Sequence, residues 1–249
     1  MTSSSKKGGR WFDRKRNRLL LAVGGVLLVL VIAIMVYSSD YYHATQAALD
    51  LAAGPGVLKL DGGWAVGDPD SRAGFIFYPG GKVEAKAYLP LMKRLSDEGL
   101  FCFLCEMPMN LAVLDINAAG RVIQRFGDIE RWYIGGHSLG GSMAAQYASG
   151  HPEEVRGLIL LAAYSPAEIL DQTPALLLYG SEDRVMNREK YTQAMGLLSH
   201  SSEVVIPGGN HAGFGDYGAQ AGDGQAAITP EAQQSQAADA IVRFIKNGA

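Results

Sequence analysis

An α/β fold is predicted, with a mostly parallel central sheet covered by helices on both faces and one transmembrane helix ahead of it. Three observations predict it. From residue 74 onward, short aliphatic and β-branched runs alternate with helix-length segments, the pattern of strands buried on both faces of a sheet. Gly136-His137-Ser138-Leu139-Gly140 stands where one such run (Tyr133, Ile134) gives way to a small-residue helical run (Met143, Ala144, Ala145). A single stretch, residues 19–37, carries no charge at all.

That uncharged stretch comes first. At 1.5 Å rise per residue it makes a helix of roughly 28 Å, close to the hydrocarbon thickness of a bilayer. Lys6, Lys7, Arg10, Arg14, Lys15, Arg16 and Arg18 precede it, and Asp40 is the first charge after it. This asymmetry predicts a cytoplasmic N-terminus and a domain on the far side of the membrane. A cleaved signal peptide is the competing reading. The long basic region, an apolar core longer than 7–15 residues, and Tyr37-Ser38-Ser39-Asp40 in place of an A-x-A site all argue for an uncleaved anchor. The expected organisation is a basic cytoplasmic segment (1–18), a transmembrane helix (19–37), a linker (38–54) and one domain (55–249) of ordinary size for a single core.

Within the domain, strands at 57–60 and 64–66 flank Asp61-Gly62-Gly63 and read as a hairpin. The alternation then runs strand 74–78, helix 84–98, strand 101–106, helix 111–126, strand 131–135 and helix 139–149, stopped by Gly150. Strands 155–162 and 175–180, helix 188–198, strand 202–206 and a last helix 231–246 complete it. Residues 213–229, rich in Gly, Ala and Gln without apolar periodicity, read as a flexible loop with no catalytic role. Cys102 and Cys105, three apart on one strand, point to opposite faces. They are expected to be buried and unreactive, not a redox pair.

The G-x-S-x-G pentapeptide at a strand-to-helix turn puts Ser138 at the apex, exposed above the sheet. A serine hydroxyl attacks only if a base takes its proton, and that base needs an acid to fix its tautomer. Strand 175–179 runs into Gly180-Ser181-Glu182-Asp183, and strand 204–206 into Pro207-Gly208-Gly209-Asn210-His211. Each delivers a reactive side chain at a carboxyl end, where sites in such sheets open. Glu182 is the adjacent rival to Asp183, and His137 is read as packing. For the oxyanion that acyl transfer builds, the Leu139 N–H is one expected donor; Gly81 is the second, with Lys82 as runner-up.

These residues resemble the α/β-hydrolase fold, in its small, cap-poor alpha/beta hydrolase family. The likeness spans residues 57–246 and rests on Phe77-Tyr78-Pro79-Gly80-Gly81-Lys82-Val83, Glu106-Met107-Pro108, the elbow, Gly180-Ser181-Glu182-Asp183 and Gly209-Asn210-His211. The resemblance implies Ser138 as nucleophile, His211 as base and Asp183 as orienting acid. The family's usual His-Gly after the third strand is Pro79-Gly80 here. A formal charge of −3 gives no polyanion-binding signal, so nucleic acid is not an expected partner. The expectation is a membrane-anchored serine hydrolase of ester-like bonds, acting on a small-molecule acyl substrate without cofactor or metal. An acyltransferase or peptidase with the same triad, or a silent binding module on the same fold, are the alternatives. Residues 164–173 leave no room for a cap.

Overall fold

The computed structural model describes residues 7–248. The described chain divides into two compact units between Asp40 and Tyr41. The first unit holds helix α1 (Lys7–Ser39), in which Leu20–Tyr37 is long and apolar enough to cross a membrane. Of the expected basic residues, Lys6 lies outside the described residues.

The second unit begins with α2 (Gln46–Ala52), followed by the hairpin β1 (Val57–Leu60) and β2 (Gly63–Val66). Leu60 pairs with Gly63, so Asp61 and Gly62 alone make the turn, with Gly62 at φ 82°. Then come β3 (Ala73–Tyr78), α3 (Leu89–Asp97), β4 (Phe101–Cys105), α4 (Ala118–Arg125) and β5 (Arg131–His137). The chain continues through α5 (Leu139–Gly150), β6 (Gly157–Leu161), β7 (Ala175–Gly180), α6 (Arg188–Met195), β8 (Ser201–Ile206) and α7 (Pro230–Lys246). The eight strands form one sheet in the order β1-β2-β4-β3-β5-β6-β7-β8. Only the β1–β2 and β2–β4 pairings are antiparallel. All others are parallel.

The sheet is covered on both faces, and its central strands β3, β4 and β5 are buried at every position but Arg131. Phe75, Phe77, Cys102, Leu104 and Tyr133 pack under α2, α3 and α7. Ile76, Tyr78, Phe103, Cys105, Ile134 and Leu158 pack under α4, α5 and α6. Cys102 and Cys105 therefore lie on opposite faces as free, buried thiols, and burial pushes both thiols far up from their ordinary pKa.

Two expectations change. The helix read over 111–126 is confined to α4, because residues 108–114 fold as two short 3₁₀ turns. The first of these has Met109 and Asn110 left-handed (φ 53° and 55°), which no α-helix admits. The loop read as loose at 213–229 is tied down along its length. Asp216 N–H donates to Ala87 O (2.7 Å), Thr45 N–H to Asp216 O (2.9 Å) and Ala227 N–H to Gly208 O (2.8 Å), while Phe214 and Tyr217 are buried.

Candidate active site

Three loops converge at the carboxyl ends of β5, β7 and β8. Ser138 sits between β5 and α5 at φ 52°, ψ −124°, a conformation that costs a non-glycine residue roughly 1–3 kcal/mol and persists only where the surroundings enforce it. The enforcement is visible. Ser138 N–H extends the sheet by donating to Leu161 O (2.9 Å), and its carbonyl receives Ser142 N–H (3.1 Å) as α5 begins. Gly140 permits the close approach, since a Cβ there would lie 2.2 Å from the carbonyl oxygens of Tyr78 and Pro79. The Ser138 side chain does not cap α5, so the local structural use of a serine here, as an N-cap, is not what this one serves.

Asp183 follows β7 and His211 follows β8. His211 Nδ1 lies 2.9 Å from Asp183 Oδ2, with both side chains buried. The other carboxylate oxygen, Oδ1, accepts the N–H groups of Val185 (2.8 Å) and Met186 (2.9 Å), which fixes the carboxylate plane. Burial by itself would raise the Asp183 pKa. The His211 hydrogen bond and charge, together with those two N–H groups, outweigh it and hold the carboxyl below its ordinary range. Glu182 instead accepts from the Ser181 hydroxyl (3.0 Å). With Nδ1–H given to Asp183, the His211 Nε2 carries the lone pair. Among the described residues Nε2 has no hydrogen-bond partner, so the Ser138 hydroxyl is not bonded to it. Both residues line one cavity of about 210 Å³, walled by Leu139, Ala162, Ala163, Tyr164, Val185 and Met186.

The loop after β3 borders Ser138. Gly80 N–H donates to the Tyr88 hydroxyl (3.1 Å), and Lys82 N–H to Asn110 O (2.8 Å). Lys82, the runner-up oxyanion donor, is thus committed elsewhere. Gly81 lies between them against Leu139, whose Cδ2 a Gly81 Cβ would approach to 2.9 Å. Among the described residues neither the Gly81 nor the Leu139 N–H is given to an acceptor.

Several supporting contacts carried no sequence signal. Asp223 accepts Ala212 N–H through Oδ2 (2.9 Å) and Arg184 N–H through Oδ1 (3.3 Å). One carboxylate thereby joins the loop after His211 to the loop after Asp183. Buried Gln233 brackets Asn210, accepting its N–H (2.9 Å) and donating to its carbonyl (2.7 Å). His137 is buried with Nδ1 2.8 Å from the Tyr88 hydroxyl and its ring 4.5 Å from that of His211. Burial and the neighbouring His211 keep its pKa well below the ordinary imidazole value. Glu106 has a structural use, receiving Trp64 Nε1–H (2.8 Å) and pairing with Lys59 to brace the hairpin.

Residues 74–235 match the profile of the Alpha/beta hydrolase family. No curated protein matches the chain. Among solved structures, the monoacylglycerol lipase of Paleococcus ferrophilus is 16% identical, with TM-score 0.58 over 74% of this chain and 98% of that one. A membrane phospholipase A, described as a novel bacterial virulence factor, is 16% identical, with TM-score 0.54 over 94% and 99%. Est1E from Butyrivibrio proteoclasticus is 13% identical, with TM-score 0.55 over 77% and 97%. At these identities the likeness is one of fold.

Proposed function

This chain belongs to the alpha/beta hydrolase family, and from that premise we propose that it is a membrane-anchored serine hydrolase of ester-like acyl bonds. The observation that carries the reading is the buried His211–Asp183 pair, whose second imidazole nitrogen is unpartnered among the described residues beside a strained serine lining the same cavity.

In this reading Ser138 Oγ attacks the acyl carbon while His211 Nε2 takes its proton, and Asp183 stabilises the imidazolium. The oxyanion is received by the N–H groups of Leu139 and Gly81. Its donors are supplied by the first turn of α5 and by a glycine whose flanking N–H groups are already used. As the bond from acyl carbon to the leaving oxygen breaks, His211 returns the proton to the departing alcohol. Water then attacks the acyl-enzyme, gives one proton to His211 and releases the acid, and the proton returns to Ser138. Nothing in the balance needs a cofactor or metal.

A fluorophosphonate probe is expected to label the wild-type protein and not Ser138→Ala. Hydrolysis of short p-nitrophenyl esters is expected to fall by about 10³-fold or more in His211→Ala. Equal labelling of Ser138→Ala, or no turnover across ester chain lengths, would reject the reading in favour of a silent binding module.

A further inference from the structure

The segment following α1 is laced into the rim of the site. Tyr42 N–H donates to Lys82 O (2.7 Å), and Glu84 N–H donates back to Tyr42 O (2.9 Å), making a parallel bridge beside Gly81. The Tyr42 hydroxyl accepts Ala221 N–H (3.1 Å), from the loop that follows His211. Tyr42 is five residues beyond Tyr37, the last residue of the apolar stretch, and five residues extend at most about 18 Å. A chain that crosses a bilayer through that stretch therefore keeps Tyr42 within about 18 Å of the end of its crossing segment.

The same rim carries an apolar lip. Residues 108–114 attach to it through Asn110 O, which accepts Lys82 N–H. Their base is fixed, because Ala112 is buried and the Tyr78 hydroxyl donates to Ile116 O (2.7 Å) and accepts Ala119 N–H (2.8 Å). From that base Met109, Val113 and Leu114 project 48%, 50% and 51% exposed. One exposed apolar residue is ordinary, whereas three within six positions form a patch. Met109 is also left-handed, a conformation costing roughly 1–2 kcal/mol that Gly or Asn would lessen. Folding alone gives no reason for a methionine there; an apolar surrounding does.

We propose that this lip dips into the surface of the bilayer that α1 anchors, and that the site draws its acyl substrate from that surface as a lipid-like ester. This rests on the serine hydrolase reading and on α1 as anchor. A protein partner fits less well. The lip offers no aromatic or arginine anchor of the kind that dominates protein interfaces, and three side chains fall far short of the roughly 800 Å² per partner of a specific one. The cavity of about 210 Å³ accepts the carbonyl end of an acyl group and cannot enclose a long chain, whose remainder stays in the hydrocarbon.

The test uses the full chain reconstituted in phosphatidylcholine vesicles. A fluorophore on Val113→Cys is read for quenching by brominated acyl chains, against the same label on Ser202→Cys at the amino end of β8. The buried native thiols do not compete for the label. Several-fold stronger quenching at position 113 is expected, and equal quenching at the two positions overturns the lip. The double variant Val113→Asp/Leu114→Asp is expected to lose more than about tenfold of its turnover of a vesicle-embedded diacylglyceride ester while still cleaving a dissolved short ester at the wild-type rate. Unchanged vesicle turnover overturns the proposed substrate route. If the wild type cleaves neither ester while quenching at 113 persists, the hydrolase reading fails and the lip stands.

Discussion

The Tyr88 hydroxyl serves two buried groups at once. It accepts Gly80 N–H (3.1 Å) and is hydrogen-bonded to His137 Nδ1 (2.8 Å). Tyr88→Phe is expected to strand both groups at a cost of about 1–3 kcal/mol, read by chemical denaturation. It should also lower kcat more than it raises KM, because Gly80 adjoins the proposed donor Gly81. His137 makes a second residue-level prediction. Its folded-state pKa is depressed by burial and by His211, so below about pH 6.5 the unfolded chain binds a proton the folded chain refuses. That contribution is fully present above the unfolded value and is lost as pH falls. Denaturation midpoints at pH 7.5 and pH 5.5 should therefore fall more steeply in wild type than in His137→Gln. The placement of Ser138, Asp183 and His211 just beyond strand ends was legible in the sequence, because each follows an aliphatic run and sits among glycines. The Tyr88–His137 contact was not, since no periodicity relates side chains 49 positions apart.

Between elements, placement depends on backbone approach and on loop ties. Gly140→Ala would drive a Cβ into two backbone oxygens that cannot swing aside, so the elbow must part from the end of β3. A loss of roughly 1–3 kcal/mol, or failure to fold, is expected in thermal denaturation. Asp223 acts more quietly. By holding Ala212 and Arg184 it sets the spacing of the loops that carry His211 and Asp183. Asp223→Ala should lower kcat by about 10–100-fold with little change in KM, checked by steady-state ester hydrolysis beside a far-ultraviolet spectrum that stays native. The strands and most helices were legible because aliphatic runs and helical spacing report which face is buried. That signal is silent for a carboxylate accepting loop N–H groups, which is why residues 213–229 read as loose. Residues 108–114 misled for a related reason: Leu111 and Leu114 continue a helical spacing, while the left-handed turn at Met109 and Asn110 leaves no mark in apolar periodicity.

For the whole molecule, the question is whether the domain acts at a membrane or free of one. The family match begins at residue 74 and is silent on the apolar helix. The helix alone does not separate an anchor from a signal sequence, since an apolar N-terminal helix of this kind fits either. The folded domain supplies an independent argument. Cleavage near Ala44 would discard Tyr42 and with it the hydrogen bonds to Lys82, Glu84 and Ala221, stripping the rim beside the proposed oxyanion loop. The chain is accordingly expected to stay in the membrane fraction after alkaline carbonate washing, and N-terminal sequencing should find residues ahead of Tyr42 on the mature protein. In the proposed topology, with the basic residues of 7–18 on the cytoplasmic side, protease added to the opposite face of the membrane should reach the domain and release a fragment that still binds the fluorophosphonate probe. A soluble mature chain starting near Ala44, fully active on short esters, would detach the hydrolase from its anchor and remove the bilayer from its chemistry.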